Sequence, residues 1–290
     1  MTWNCRGAAK PSFVRVARDL ISHYKPTIFV VLETRVGGDQ ASQIRRRLGY
    51  THSLLVDSQG FSCGLWNKSE VDIQATSVSR WAIHAVVNVP AAKPWVLSSI
   101  YASNNPKMRH QVWNELKTVS DIDCPLGVIG GLNVLHSLSD KKGGILPTYS
   151  DINELNNVMN VCHLMDKKPT GPRFTWTSKQ VNGRNIQERL DRLLINDLWQ
   201  LMFPNAQVSH LHVYNSDHRV FMVDTSPTFK FRPRPFRIEA MWLQDIRFKH
   251  LVAQIWAQRE SGAESSLSLA QKFRILALEA KLWNKSKTGS

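Results

Sequence analysis

Apolar side chains recur at the helical period through Phe13, Val16, Ala17, Leu20, Ile21 and Tyr24, which predicts an amphipathic helix capped by Ser12 and stopped at Pro26. The next run, residues 27–32, is apolar without alternation, as in a strand covered on both faces. A second helix is expected over 39–48, followed by short strands at 52–56, 64–66, 71–76, 83–89 and 95–101. Pro106 opens a helix to about Val119, and 126–129 reads as a buried strand ending in Gly130-Gly131. Ser150 or Asp151 caps a helix to Val161. Strands are expected at 173–178, 186–195, 208–213 and 220–225, with a helical turn at 196–202. Many short strands in hairpin order, with helices interspersed, give an α/β sandwich: two packed sheets with helices outside.

The pattern breaks near Ser226-Pro227. Residues 229–235 are too rich in proline for a helix and too basic for a core, whereas 238–257 and 267–283 regain helical periodicity. The second of these carries Leu269, Phe273, Leu276, Ala280 and Trp283 on one side. The expected division is a domain over 1–226 and, over 227–290, a basic linker with a helical arm too poor in core to fold alone.

Composition narrows the class. An apolar fraction of 42% with ten tryptophans is ample for a core and argues against disorder. Cys5, Cys63, Cys124 and Cys162 are widely spaced, which suits buried thiols in a reducing compartment better than a disulfide or zinc framework. No secretory leader follows Met1, and no apolar run approaches the ~20 residues needed to cross a bilayer. The net charge of +14 points to a polyanionic partner, and residues 229–290 hold twelve Lys/Arg against five Asp/Glu.

Several polar clusters sit where apolar runs stop. Ser216-Asp217-His218-Arg219 sets a carboxylate beside an imidazole just past a strand, as a base or phosphate clamp would be presented, although such pairs also arise by chance. Glu33 ends the most apolar strand and suits a hard divalent cation with phosphate as co-ligand; it is equally readable as a solvated strand-end carboxylate. Asn4 either orients the same ligand or turns the chain before Gly7. Asn133, two residues past Gly130-Gly131, would point an acceptor into the same face, and Tyr101 ends another strand, where it would donate to a phosphate or simply sit on the rim. Asp191 either orients an imidazole or pairs with Arg189 or Arg192. Phe174-Thr175-Trp176-Thr177 alternates bulky and hydroxyl side chains, with the hydroxyls suited to facing a backbone.

In their joint order these clusters resemble the endonuclease/exonuclease/phosphatase superfamily, whose members include deoxyribonuclease I and the apurinic endonucleases. Most of all they resemble the endonuclease of plant LINE-type non-LTR retrotransposons. The likeness rests on Trp3-Asn4-Cys5-Arg6-Gly7, Leu32-Glu33-Thr34-Arg35, Phe174-Thr175-Trp176, Arg189-Leu190-Asp191-Arg192 and Ser216-Asp217-His218. Phe236 to Trp242 and Lys281 to Lys285 resemble the connector that leads into a reverse transcriptase.

The resemblance implies a four-layer α/β/β/α sandwich with a C-terminal helical extension. It also implies Mg²⁺, with Mn²⁺ as a substitute, at Glu33 and Asn4. His218 contacts the scissile phosphate or acts as base, oriented by Asp191, with Asp217 beside the metal. Asn133 and Tyr101 place phosphate oxygens, and Arg6, Arg35, Thr175 and Trp176 face nucleic acid. The implied reaction is attack of water on a DNA phosphodiester, nicking one strand. DNA, and by extension the element's own RNA, is the implied partner, and nuclear residence follows from that substrate.

One match fails. The family's Gly-Asp-x-Asn stands here as Gly130-Gly131-Leu132-Asn133, so the aspartate that would align water is Gly131. Cys63 also replaces a frequent glycine and is expected to crowd a tight turn. Three readings follow: a weakened nuclease, a nucleic-acid-binding remnant without turnover, or a small-molecule phosphatase. The basic arm and overall charge disfavour the third.

Overall fold

The computed structural model describes residues 1–56, 62–67, 69–90, 92–178, 185–211, 216–227, 238, 240–257 and 269–288. The chain divides into two compact units, Met1–Thr228 and Phe229–Ser290.

In the first unit, one mixed sheet has the spatial order β14 (Gln207–Leu211), β15 (Val220–Asp224), β1 (Thr2–Asn4), β2 (Ile28–Leu32), β4 (Ser62–Trp66) and β3 (His52–Leu55). A second sheet runs β10 (Met165–Asp166), β13 (Asp191–Ile195), β8 (Leu126–Gly131), β7 (Trp95–Tyr101), β6 (Ala82–Asn88) and β5 (Asp72–Val78). A small third sheet joins β11 (Trp176–Thr177), β12 (Gln187–Glu188) and β9 (Lys141–Lys142).

The unbroken apolar run of β2 is explained by what covers it. Phe29 and Val31 face α1 (Pro11–Tyr24) and α2 (Gly38–Leu48), meeting Phe13, Ala17 and Leu48. Ile28 turns the other way, toward Trp66, Val71 and Val87. The second sheet packs Ile100, Leu126 and Val128 under α3 (Pro106–Ser120) and α4 (Tyr149–Val161) through Val112, Leu116 and Leu155. Between the sheets, Ile129, Leu193 and Phe221 close around Trp199 of α5 (Asp197–Met202). The architecture is therefore the four-layer α/β/β/α sandwich.

Several local expectations shift for identifiable reasons. Lys10 is the residue that precedes α1 and Pro11 its first position, so Ser12 falls inside the first turn. Thr148 rather than Ser150 or Asp151 caps α4, with Asp151 as the reciprocal member of a capping box. The strand expected over 186–195 is cut in two at Arg189-Leu190, where side chains described below pull the backbone aside. Cys63 lies within β4 opposite Val31, buried in the core, and crowds no turn. Burial pushes the Cys5 and Cys63 thiols up to about 12, which suits inert apolar fillers.

The second unit has a 3₁₀ turn at Ala240–Gln244, α6 (Ile246–Ala257) and α7 (Leu269–Thr288). The single helix expected over 238–257 is interrupted because Asp245 accepts from the Arg247 amide at 2.9 Å and so starts α6 afresh. Trp242, Phe248, Ile255, Leu276 and Ala280 form a small core with Trp283, while Leu269 and Phe273 stay exposed. The basic linker 229–235, with Phe236, Arg237 and Glu239, lies outside the described residues. No helix among the described residues is long and apolar enough to cross a membrane.

Candidate functional site

Parallel pairing of β1 with β2 sets Asn4 opposite Leu32, so Asn4 and Glu33 emerge together from one end of the first sheet. Asn4 Nδ2 donates to Glu33 Oε1 at 2.8 Å, and the Tyr101 hydroxyl donates to the same oxygen at 2.8 Å. Arg35 holds Oε2 at 3.0 Å. Burial, and then the Glu33 carboxylate, raise the Tyr101 phenol above its ordinary value, so it remains a donor.

His218 arrives from the turn before β15. Its Nε2 lies 3.4 Å from Asn4 Nδ2 and its Nδ1 3.2 Å from Asp191 Oδ2. Asn4 can only donate through that nitrogen, so the network assigns the proton to Nδ1 and the lone pair to Nε2. Glu33 and His218, far apart in sequence, thus meet through one amide. Asp217 is held by Arg6 at 2.6 Å and by the Trp176 indole at 3.2 Å. Asn133 Nδ2 donates to the Ala102 carbonyl at 2.7 Å and its side chain also meets Tyr101.

Gly131 ends β8 between Tyr101 of β7 and Asp191 of β13, with which it is in register. A Cβ there would stand 3.3 Å from Asp191 Oδ1 and 3.6 Å from the Tyr101 ring. The position faces the cluster, and it carries nothing. Its neighbour Gly130 is a different case: with φ at +146° and a Cβ that would lie 1.9 Å from the Ile100 carbonyl oxygen, only glycine fits.

Of the six non-glycine residues with positive φ among the described residues, four are Arg6, Glu33, Arg35 and Asn133, all in this cluster. Each costs of order 1–3 kcal/mol, and such strain concentrates where geometry serves a ligand.

Asp191 takes His218 because its neighbouring arginines are engaged elsewhere. Arg189 makes a two-pronged pair with Asp166, both contacts 2.7 Å. Fully buried Arg192 reaches Asp166 and Asp140, each at 2.6 Å. The Thr175 hydroxyl accepts from the Leu190 and Asp191 amides, both at 3.0 Å. Thr175 is 1% exposed, so it braces this turn from within and offers no surface to nucleic acid. Trp176 is half-buried and bridges backbone-to-backbone with His218. Sequence reasoning missed Asp140 and Asp166. Two arginines flanking Asp191 were the available signal, since buried guanidinium groups require carboxylates.

Among the described residues no group of three or more His, Cys, Asp or Glu is placed to hold a metal ion. Glu33 with Asn4 supplies the one carboxylate and one amide oxygen that suit a hard cation keeping most of its water, although here both Glu33 oxygens accept from Asn4, Tyr101 and Arg35 and the Asn4 oxygen accepts from the Arg6 amide.

No protein-family model matches the sequence, and no curated protein matches it. Solved structures do share this four-layer fold. The 3′ phosphatase NExo from Neisseria, solved with a product DNA hairpin, aligns with a TM-score of 0.59 at 17% identity over 77% of this chain and 97% of its own. The endonuclease domain of TRAS1, a telomere-specific non-LTR retrotransposon, aligns at 0.59 and 14% identity over 77% and 94%. The AP endonuclease LMAP of Leishmania major aligns at 0.60 and 15% identity over 76% and 85%.

Proposed function

We propose that Met1–Thr228 is a DNA endonuclease-like domain derived from a non-LTR retrotransposon, one that grips a DNA phosphodiester and cuts it poorly. The observation that carries this reading is Gly131: the position stands beside Asp191, the partner of His218, and beside the Tyr101 ring, and it has no side chain. A missing general base costs ~10²–10⁴ in rate, or about 3–5 kcal/mol.

In this reading Glu33 and Asn4 would hold Mg²⁺, or Mn²⁺, which would neutralise charge on the phosphate. Arg6 and Arg35 lie beside that cluster and would supply guanidinium donors to phosphate oxygens. His218, held by Asp191, presents Nε2 to the reacting group, accepting a proton when neutral and donating to the phosphate when protonated. Tyr101 and Asn133 would position the remaining oxygens. The +14 net charge supports a polyanionic partner, and the retroelement-like connector motifs support the proposed origin.

The test is nicking of supercoiled plasmid with Mg²⁺ by the native chain, Gly131→Asp, and Gly131→Asp with His218→Ala. The expected outcome is slow nicking, recovery by a factor of about 10²–10⁴, then loss. Rapid nicking by the native chain that survives His218→Ala refutes the assignment.

A further inference from the structure

Four charged side chains at one end of the first sheet are paired with one another. Arg35 donates to Glu33 Oε2 at 3.0 Å. Arg6 meets Asp217 at 2.6 Å, and its Nε lies 3.9 Å from Glu33 Oε1. The carboxylates on which a divalent cation would depend therefore already carry guanidinium partners.

The backbone is bent to make these contacts. In an extended strand, side chains two residues apart stand about 7 Å from each other. Positive φ at Glu33 (52°) and Arg35 (53°) folds the chain so that the two side chains meet, and Arg6 (48°) is turned likewise. Residues other than glycine hold that conformation at a cost, and here the cost sets guanidinium groups on carboxylates.

The two halves of each pair differ in freedom. The Glu33 and Asp217 side chains are 7% and 20% exposed. Further donors fix them, Asn4 and Tyr101 on Glu33 and the Trp176 indole on Asp217. The Arg6 and Arg35 side chains are 43% and 62% exposed. An ion pair open to water contributes little net stability, so the arginines can leave while the carboxylates stay. Guanidinium groups grip phosphate oxygens with the same fork that grips carboxylates, so a polyanion competes with Glu33 and Asp217 for both arginines.

We propose that Arg6 and Arg35 are built-in counter-ions that make cation binding depend on DNA. They neutralise Glu33 and Asp217 in the free protein and transfer to backbone phosphates when DNA binds. The carboxylate oxygens are then released to a divalent cation, so cation and DNA bind with positive coupling. This rests on the reading of Glu33 as a cation ligand above, and the test separates the two.

The probe is Mn²⁺, whose free-ion paramagnetic resonance signal falls on binding. It is titrated into the full chain alone and with a short DNA duplex, the duplex's own uptake being subtracted. The native chain is expected to bind Mn²⁺ about tenfold more tightly with the duplex, within the usual range for coupled sites. Without DNA, Arg35→Gln should bind Mn²⁺ about tenfold more tightly than the native chain, and it should gain less from the duplex. Arg6→Gln should shift in the same direction, whereas Arg35→Lys, which keeps the charge, should behave as the native chain. Arg35 is exposed, so unchanged thermal unfolding of Arg35→Gln serves as the folding control. Equal Mn²⁺ affinity of the native chain with and without the duplex overturns the coupling and leaves the cation site standing. An equal gain from the duplex in the native chain and Arg35→Gln also overturns it, since phosphate would then act only as an added ligand. If neither chain takes up Mn²⁺ under either condition, the cation reading of Glu33 falls and the coupling falls with it.

Discussion

Replacing Asp140 by alanine tests how firmly the site is founded on the ion network beneath it. Asp140 is 3% exposed and accepts from Arg192, itself 0% exposed, at 2.6 Å. It also accepts from the His136 and Ser137 amides at 3.2 and 3.1 Å. Removing one partner of a buried pair typically costs about 3–5 kcal/mol, because the remaining charge is left uncompensated. Here Arg192 keeps Asp166 at 2.6 Å, so the lower end, about 3 kcal/mol, applies. For a domain of this size each kcal/mol shifts Tm by about 2–4 °C, giving a fall of about 6–12 °C. The assay is thermal unfolding of the native chain, Asp140→Ala, Arg192→Met and the double variant. The double variant should lose less than the two singles together, with a coupling of about 1–3 kcal/mol, since it leaves no orphaned guanidinium. A fall below 2 °C, or strict additivity, would refute the argument that these buried charges depend on one another.

Gly131→Asp should destabilise the protein in the absence of divalent cations: two carboxylates about 4 Å apart repel by up to about 4 kcal/mol at an effective dielectric of about 20. Thermal unfolding with EDTA should show a lower Tm than the native chain and with Mg²⁺ a recovered one; no difference between the two conditions removes the carboxylate from the site. Stability should also fall on acidification in two stages. Burial holds His84 and His210 below the ordinary 6.5, so their contribution is complete above pH 6.5 and declines as pH drops beneath it. Burial pushes the Asp140 carboxyl up, but the Arg192 guanidinium outweighs it and holds the group below its ordinary 3.8, so this second contribution is present above that pH and lost beneath it. Urea unfolding from pH 8 to pH 3 reads both limbs, and His84→Gln should flatten only the upper one.

Much of the fold was legible because its elements are locally consistent. β2 is apolar on both faces since helices and a second sheet both cover it, and β7 begins and ends where its pattern does. The misreadings arise where side chains override pattern. Residues 173–178 alternate like a strand, yet only Trp176–Thr177 pair, because Thr175 is spent on the Asp191 turn. β1 is three residues long and gives no periodicity to detect. Asn4, Glu33, Tyr101, Asp191 and His218, singled out by motif order, lie within one hydrogen-bonded cluster. Asp140 and Asp166 were invisible because each lies in an unremarkable polar stretch, and only tertiary packing brings them to the two arginines. The left-handed backbone at Glu33 and Arg35 was equally hidden, since neither residue type advertises it.

Gly130 and Gly131 are adjacent, but the chain depends on only one of them. A side chain at Gly130 would collide with the neighbouring strand, so misfolding itself would eliminate any such change. Position 131 has an ordinary backbone conformation, so only its neighbours constrain it: a Cβ there would stand 3.3 Å from Asp191 Oδ1. On the proposed reading a carboxylate at 131 would cost stability until a cation neutralised it, so only selection for turnover would hold one there, and quality control of the folded state would not register its absence.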